Sequence, residues 1–167
     1  MAAALAAVLT ALVVRQRQPR RLAVDPGARR ILVPFEGQLD EEVLRAAIRI
    51  AKAENAVLVP AYLLLVPLAY DEDSPLKDQV GVAMPLLEAV EHAALRAGVP
   101  VDARIERGRT LTHALKRLWE AEDFYRIVAP APVDGAPGFN EKQLAWLLTH
   151  APAETLVLKP TPAVRAH

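Results

Sequence analysis

The sequence contains no cysteine and only one serine, Ser74. The absence of cysteine excludes disulfides, cysteine-based zinc sites and thiol nucleophiles. The serine follows an acidic run and does not stand in the Gly-x-Ser-x-Gly turn that exposes a hydrolase nucleophile. The four histidines are His92, His113, His150 and His167. They are dispersed, and no two have the spacing of metal ligands on one helix. We therefore expect a protein that is not an enzyme and that holds no metal.

An excess of positive charge is also missing. Lys plus Arg and Asp plus Glu each number 20 in the 167 residues, so the formal net charge is zero. Proteins that bind nucleic acid usually carry a clear basic excess, and we expect no nucleic-acid partner here. Hydrophobic residues make up 53% and charged residues 24%, which is the composition of a globular chain of one domain.

Charge is absent altogether from residues 1–14, which read MAAALAAVLTALVV. The next sixteen residues carry six arginines against a single Asp25. This change from an uncharged to an arginine-rich stretch predicts an apolar segment with a basic linker over 1–29, a domain over 30–160 and a tail over 161–167. A membrane-spanning helix needs roughly 20 apolar residues, so the apolar run is short for a span. Its order, apolar and then basic, is typical of an anchor that leaves the domain in the cytoplasm. Membrane attachment through residues 1–14, the end of a longer membrane segment and an unanchored extension remain open.

Strand and helix patterns alternate from residue 30 onward. Apolar runs predict strands at 31–34, 56–65, 101–106, 124–129 and 155–159. Helical periodicity predicts helices after Asp40, over 79–97, from Thr110 or Thr112 to about Glu120, and over 143–150. Pro60 predicts a bend or an early end of the second strand, and Pro85 a kink or a late start of the second helix. The alternation predicts an α/β fold, an open five-stranded parallel sheet with helices on both faces, as in Rossmann-like domains.

Ligands bind to such sheets beyond the carboxyl ends of the strands, where the strand order reverses. That rule points to three loops, 35–39, 66–75 and 130–140. The acidic run 71–73 in the second loop lacks further ligands at regular spacing, which favours a solvated loop over a cation site. Trp119 and Trp146 fall on predicted helices, where we expect them to be packing residues.

Three blocks of the sequence resemble the universal stress protein family. Residues 30–37 (RILVPFEG) resemble its first strand and turn, and residues 122–128 resemble the entry to its fourth strand. The residues HAP at 150–152, followed by LVL at 156–158, resemble its ending. The resemblance covers residues 30–160. It implies an adenine nucleotide alpha hydrolase-like fold, a role in stress response and a homodimer paired through the last strand, Thr155–Lys159. Such pairing would cover an apolar edge.

The ATP-binding members of that family carry a glycine-rich phosphate loop after the fourth strand, because backbone N–H groups must approach the phosphates closely. In this sequence Pro130 and Val133 stand at the first two glycine positions, and Glu141 and Lys142 stand at the closing Gly-Ser position. Proline lacks the N–H donor, and Glu141 would repel phosphate. We therefore expect an altered nucleotide-binding loop and no cofactor, with ATP as the alternative.

The candidate ligand-binding residues are Glu36, Gly37, Gly135, Gly138 and Lys142. Glu36 stands where the family has a nucleotide-contacting Asp, and it can accept a hydrogen bond from an amine or a ribose hydroxyl. Lys142 can offer one positive charge. The alternative is that the glycines only turn the chain between strand and helix. The sequence thus favours a non-catalytic regulatory or interaction domain, and the alternative is a sensor of a nucleotide or small metabolite. A third hypothesis, an enzyme with weak nucleotide hydrolysis, is disfavoured because the sequence shows no general base, metal-ligand set or nucleophile.

Overall fold

The structure is a computed structural model that describes residues 27–132 and 138–159. The strands are β1 (Arg30–Phe35), β2 (Val57–Leu65), β3 (Arg104–Gly108), β4 (Arg126–Pro130) and β5 (Glu154–Leu158). The helices are α1 (Glu41–Ala53), α2 (Lys77–Arg96), α3 (Leu111–Ala121) and α4 (Glu141–His150). The five strands form one parallel sheet in the order β3-β2-β1-β4-β5, which confirms the predicted fold class.

Helices cover both faces of the sheet, as predicted. On one face, apolar side chains of α1 and α2 pack on Ile31 and Val33 of β1. On the other, α3 and α4 pack on Leu32. Successive residues of β1 therefore enter opposite cores, which is why this strand reads as a continuous apolar run. Trp119 and Trp146 pack against the second of these cores and stack with ring centroids 5.7 Å apart, so they are packing residues as predicted.

None of the helices in the described ranges is long and apolar enough to span a membrane. The apolar residues 1–14, the residues 161–167 and candidate Gly135 lie outside those ranges. The predictions that concern them therefore stay predictions.

Side-chain caps fix where three of the helices begin. Asp40 accepts from the N–H groups of Glu42 and Val43 at the start of α1, and Thr110 caps α3. Asn140 caps α4, so that this helix begins at Glu141, two residues before the predicted start. These caps satisfy N–H groups that have no partner inside the helix.

Pro60 does not end β2, which continues to Leu65, so the predicted early end is wrong. The carbonyl of Leu58 accepts from the N–H of Asp102 at 2.9 Å, so this part of β2 faces β3. Backbone direction alternates along a strand, and Pro60 therefore faces the same neighbour with no N–H to donate. The β2–β3 ladder is interrupted at that point: Val101 makes a single bridge to Leu58, and continuous pairing begins at Arg104.

The third strand accordingly spans Arg104–Gly108 and not 101–106. In the second helix, α2 begins at Lys77 and runs through Pro85, so the predicted late start is wrong. The carbonyl that loses its partner to Pro85 belongs to Gly81, which is exposed and can be hydrated. β4 and β5 differ from their predicted bounds by one or two residues.

Arg126 ties the edge strand β5 and helix α1 to β4. Its Nε and one terminal nitrogen lie 2.8 and 2.6 Å from Glu154 Oε2, and its other nitrogen pairs with Glu54 at the end of α1. The side chain is only 13% exposed. The hydrogen bonds to Glu154 and Glu54 raise the pKa of the Arg126 guanidinium above its ordinary value, against the effect of burial. This guanidinium stays charged and holds three elements together.

A second charged cluster joins β1, β3 and the segment after α3. Arg30 Nε and Arg104 each pair with Glu122, at 3.0 and 2.5 Å, and both arginines also contact Asp102. Burial raises the pKa of the Asp102 carboxyl, but the hydrogen bonds from Arg104 and Arg30 outweigh burial and leave that pKa below its ordinary value. The amino-terminal edge of the sheet is thus closed by paired charges.

Replacing Arg126 with alanine should lower the free energy of unfolding by about 2 kcal/mol, because partly buried carboxylates lose their charged donor. The matched control is Arg45→Ala. Arg45 pairs with Glu41 and Glu42 on the exposed face of α1, and we expect its removal to cause a change too small to resolve. Urea unfolding of both variants measures the difference. Equal losses would show that Arg126 acts only as another surface charge.

Candidate functional site

The strand order reverses between β1 and β4. From β1 the chain continues outward through β2 and β3, then crosses back to β4 and β5 on the other side. Between the carboxyl ends of β1 and β4 lies a cavity of about 350 Å³. It is lined by Phe35, Glu36, Gly37, Gln38, Pro130, Gly138 and Phe139. Its place is the one that ligands take in open parallel sheets, and its volume falls in the range of small-molecule sites, roughly 300–1,000 Å³. We call it the switch-point cavity.

The turn after β1 places Glu36 at this cavity. The N–H of Gln38 donates to the carbonyl of Glu36 at 2.8 Å across Gly37, whose φ is +68°. So tight a turn with positive φ favours glycine. Glu36 is exposed, and no described residue pairs with its carboxylate. The turn therefore presents an unpaired hydrogen-bond acceptor.

The backbone after β4 offers few donors to a ligand. Pro130 and Pro132 have no N–H. The N–H of Ala131 donates to the carbonyl of Leu158 at 2.8 Å, which continues the sheet, and the N–H of Phe139 donates to the carbonyl of Pro130 at 3.4 Å. In the described part of this loop, the two prolines thus have no donor, and the N–H groups of Ala131 and Phe139 are bonded within the chain.

Gly138 has a steric role in this loop. A Cβ placed on it would lie 2.8 Å from the backbone oxygen of Ala131. The returning chain therefore lies against the chain that leaves β4, and only glycine allows that approach. This contact favours the interpretation in which Gly138 packs and turns the chain.

The amino terminus of α4 is occupied by its own side chains. Asn140 Oδ1 accepts from the N–H of Gln143 at 2.9 Å, and Gln143 Oε1 accepts from the N–H of Asn140 at 2.8 Å. Glu141 in the first turn adds a negative charge that suits the helix dipole. Lys142 is exposed on the same turn and does not line the cavity.

Of the sequence candidates, the structure thus brings together Glu36, Gly37 and Gly138, and it leaves Lys142 outside. Sequence reasoning missed Phe139, which is 3% exposed and packs in one cluster with Leu144. An apolar residue just before the capping residue and another four positions after that cap form a hydrophobic staple. The sequence contains this pattern, which predicts that the side chain of Phe139 is held in place by packing against Leu144.

The loop 66–75 does not reach the cavity, contrary to the sequence-based expectation. Arg109 Nη1 donates to the carbonyls of Pro67 and Tyr70 at 2.8 and 2.7 Å, and Arg107 Nη1 donates to that of Ser74 at 2.8 Å. These contacts hold the loop over β3 and α3, on the far side of β2. Glu72 of the acidic run faces Arg109, with Nε and Oε1 3.4 Å apart. The described ranges contain no group of three metal-ligating side chains.

No family model matches the sequence, and the search of curated proteins gave no match either. Solved structures do match the fold. UspA from Lactobacillus plantarum has a TM-score of 0.64 at 18% identity, over 80% of this chain and 99% of that one. A universal stress protein family member from Burkholderia pseudomallei has a TM-score of 0.59 at 21% identity, over 81% and 98%. The universal stress protein from Archaeoglobus fulgidus has 0.58 at 16%, over 77% and 92%. The chain has the universal stress protein fold.

Gly138→Ala should destabilise the protein by roughly 1–3 kcal/mol, because its Cβ meets backbone and not a movable side chain. Gly81→Ala is the matched control. Gly81 lies within α2, and a Cβ placed on it would meet nothing within 4 Å, so alanine there should stabilise by roughly 0.5–1 kcal/mol. Thermal unfolding gives both signs. A stabilising Gly138→Ala would contradict the close approach of the loop.

Proposed function

We propose that this chain is a non-catalytic regulatory or interaction domain of the universal stress type, whose switch-point cavity no longer holds a triphosphate. The observation that carries the proposal is that the backbone N–H groups of three residues at the end of β4 and after it are absent or already bonded. Pro130 has none, and those of Ala131 and Phe139 are bonded to carbonyls of the chain itself. A phosphate chain in this cavity would give up its hydration without gaining N–H groups from these three residues in place of water.

Electrostatics support the same proposal. Among the described residues that line the cavity, Glu36 is the only charged one. A carboxylate repels phosphate, most strongly where solvent is partly excluded. No arginine or lysine of the described ranges lines the cavity to offset it.

A second candidate function is a sensor for a small ligand without a phosphate chain, such as a nucleoside. The exposed, unpaired carboxylate of Glu36 favours it, because such an acceptor suits a pair of ribose hydroxyls or an amine. Among the proteins with a similar fold, structures are known of one in complex with cAMP, of the Archaeoglobus fulgidus protein with dAMP and of an Arabidopsis thaliana protein with AMP bound. Their ligands make a nucleoside a reasonable probe for this cavity.

Isothermal titration of the full chain should show no binding of ATP, with or without magnesium. Micromolar binding of ATP would overturn the altered-loop proposal. The sensor candidate is tested with adenosine, where the carboxylate of Glu36 should matter. Adenosine binding that is lost in Glu36→Ala and kept in Glu88→Ala, an exposed glutamate of α2, would favour the sensor. Absence of binding by either ligand would favour the interaction module.

The interaction surface of this domain is the edge strand β5, through which a second copy adds to the sheet. β5 has a strand neighbour on one side only, β4. Glu154 and Val157 are exposed, Val157 by 37%, and the other three residues of the strand are half-buried. An uncovered apolar edge is prone to pair with another strand, and pairing with a second copy closes it.

Light scattering after gel filtration should give the mass of a dimer for the full chain and that of a monomer for Val157→Lys. A lysine on an edge strand opposes pairing because its charge would be buried between the copies. Val82→Lys is the control, since Val82 is an exposed valine of α2 and its replacement should leave the dimer intact. A monomeric wild-type chain, or a dimer in Val157→Lys, would contradict the proposed edge.

A further inference from the structure

A larger cavity lies between α1 and α2 on one face of the sheet, and it shares only Phe35 with the switch-point cavity. Its volume is about 590 Å³, and its lining is mostly apolar. Phe35 and Leu39 form one end, Leu44 and Ile48 form the wall on α1, and Leu86 and Val90 lie on α2. We call it the α1–α2 groove. A concave, mostly apolar cavity of this volume is typical of a small-molecule site.

Of the three arginines on the rim of this groove, one forms ion pairs with described residues and two do not. Arg45 is paired with Glu41 and Glu42, each at 2.6 Å. Arg49 and Arg96 also line the groove and are exposed, and neither forms an ion pair with any described residue. The groove therefore carries two cations whose charge the described protein does not neutralise.

Both unpaired arginines lie at the same end of the groove. α1 and α2 each follow a strand of the parallel sheet and so run back from its carboxyl edge to its amino edge. Arg49 lies in the second half of α1, and Arg96 is the last residue of α2. Phe35 and Leu39 mark the opposite end, after β1. The groove is thus apolar along its length and positive at one end.

We infer that the α1–α2 groove binds a fatty acid, with the alkyl chain between the helices and the carboxylate on Arg49 and Arg96. Along α2 the lining extends from Leu86 to Ala97, which is roughly 16 Å at the rise of an α-helix. Methylene groups gain free energy on leaving water for such a lining. Two guanidinium groups can each donate to one carboxylate. The volume is that of a small-molecule site, roughly 300–1,000 Å³, which favours a single alkyl chain over a protein segment.

The test is isothermal titration of the full chain with dodecanoate, below the concentration at which it forms micelles. Dodecanol and dodecyltrimethylammonium serve as ligands of similar chain with no charge and with the opposite charge. We expect dodecanoate to bind at least tenfold more tightly than either. Arg49→Ala and Arg96→Ala should each weaken binding about tenfold, the loss of one charge-assisted hydrogen bond. Lys52→Ala should leave the affinity unchanged, because Lys52 is an exposed cation of α1 outside the lining.

A second variant tests the place of the alkyl chain. Ala89 lines the groove and is exposed, so Ala89→Phe can fill the groove without entering the core, and it should abolish binding. His92→Phe is the control, on an exposed position of the same helix outside the lining. Circular dichroism verifies that both variants fold.

The following results would overturn the inference. One is equal affinity for dodecanoate and dodecanol. Another is equal behaviour of the Arg49, Arg96 and Lys52 variants, or binding that survives Ala89→Phe. The last is the absence of binding to the full chain, which is what a groove covered by a second copy or by residues 1–14 would give. Association with anionic vesicles but not with monomeric dodecanoate would count against the inference in the same way.

Discussion

The burial of β1 is the constraint on which the rest of the fold depends. This strand has a parallel neighbour on each side and a helical layer on each face. Ile31, Leu32 and Val33 have no exposed surface, and any polar side chain there would lose its hydration without a partner. Only at its carboxyl end does the strand reach open space. Phe35, the last residue of β1, lines both the switch-point cavity and the α1–α2 groove.

The alternation of strands and helices could be read from the sequence because it rests on local patterns: apolar runs, helical periodicity and capping residues. The errors arose where a distant partner decides the outcome. β3 starts late because Pro60, on another strand, has no N–H for it. The loop 66–75 is turned away from the cavity by Arg107 and Arg109, which follow it by more than thirty residues. No local sequence pattern predicts a hydrogen bond between a guanidinium group and a backbone carbonyl so far away along the chain.

The candidate site was likewise only partly predictable from the sequence. The strand-end rule pointed to the loops 35–39 and 130–140, and the resemblance to the universal stress proteins selected Glu36, Gly37 and Gly138 within them. Lys142 was included because of its charge, but the capping of α4 turns it away from the cavity. The α1–α2 groove was not predictable, since the patterns of two helices define their apolar faces and not the gap between them.

The two cavities differ in what each would need to bind an anion. The switch-point cavity lacks donors for covalent reasons at Pro130 and Pro132, and for conformational reasons at Phe139. The α1–α2 groove already has two unpaired guanidinium groups beside an apolar surface. We therefore propose that affinity for an anionic ligand lies in the α1–α2 groove and not at the switch point.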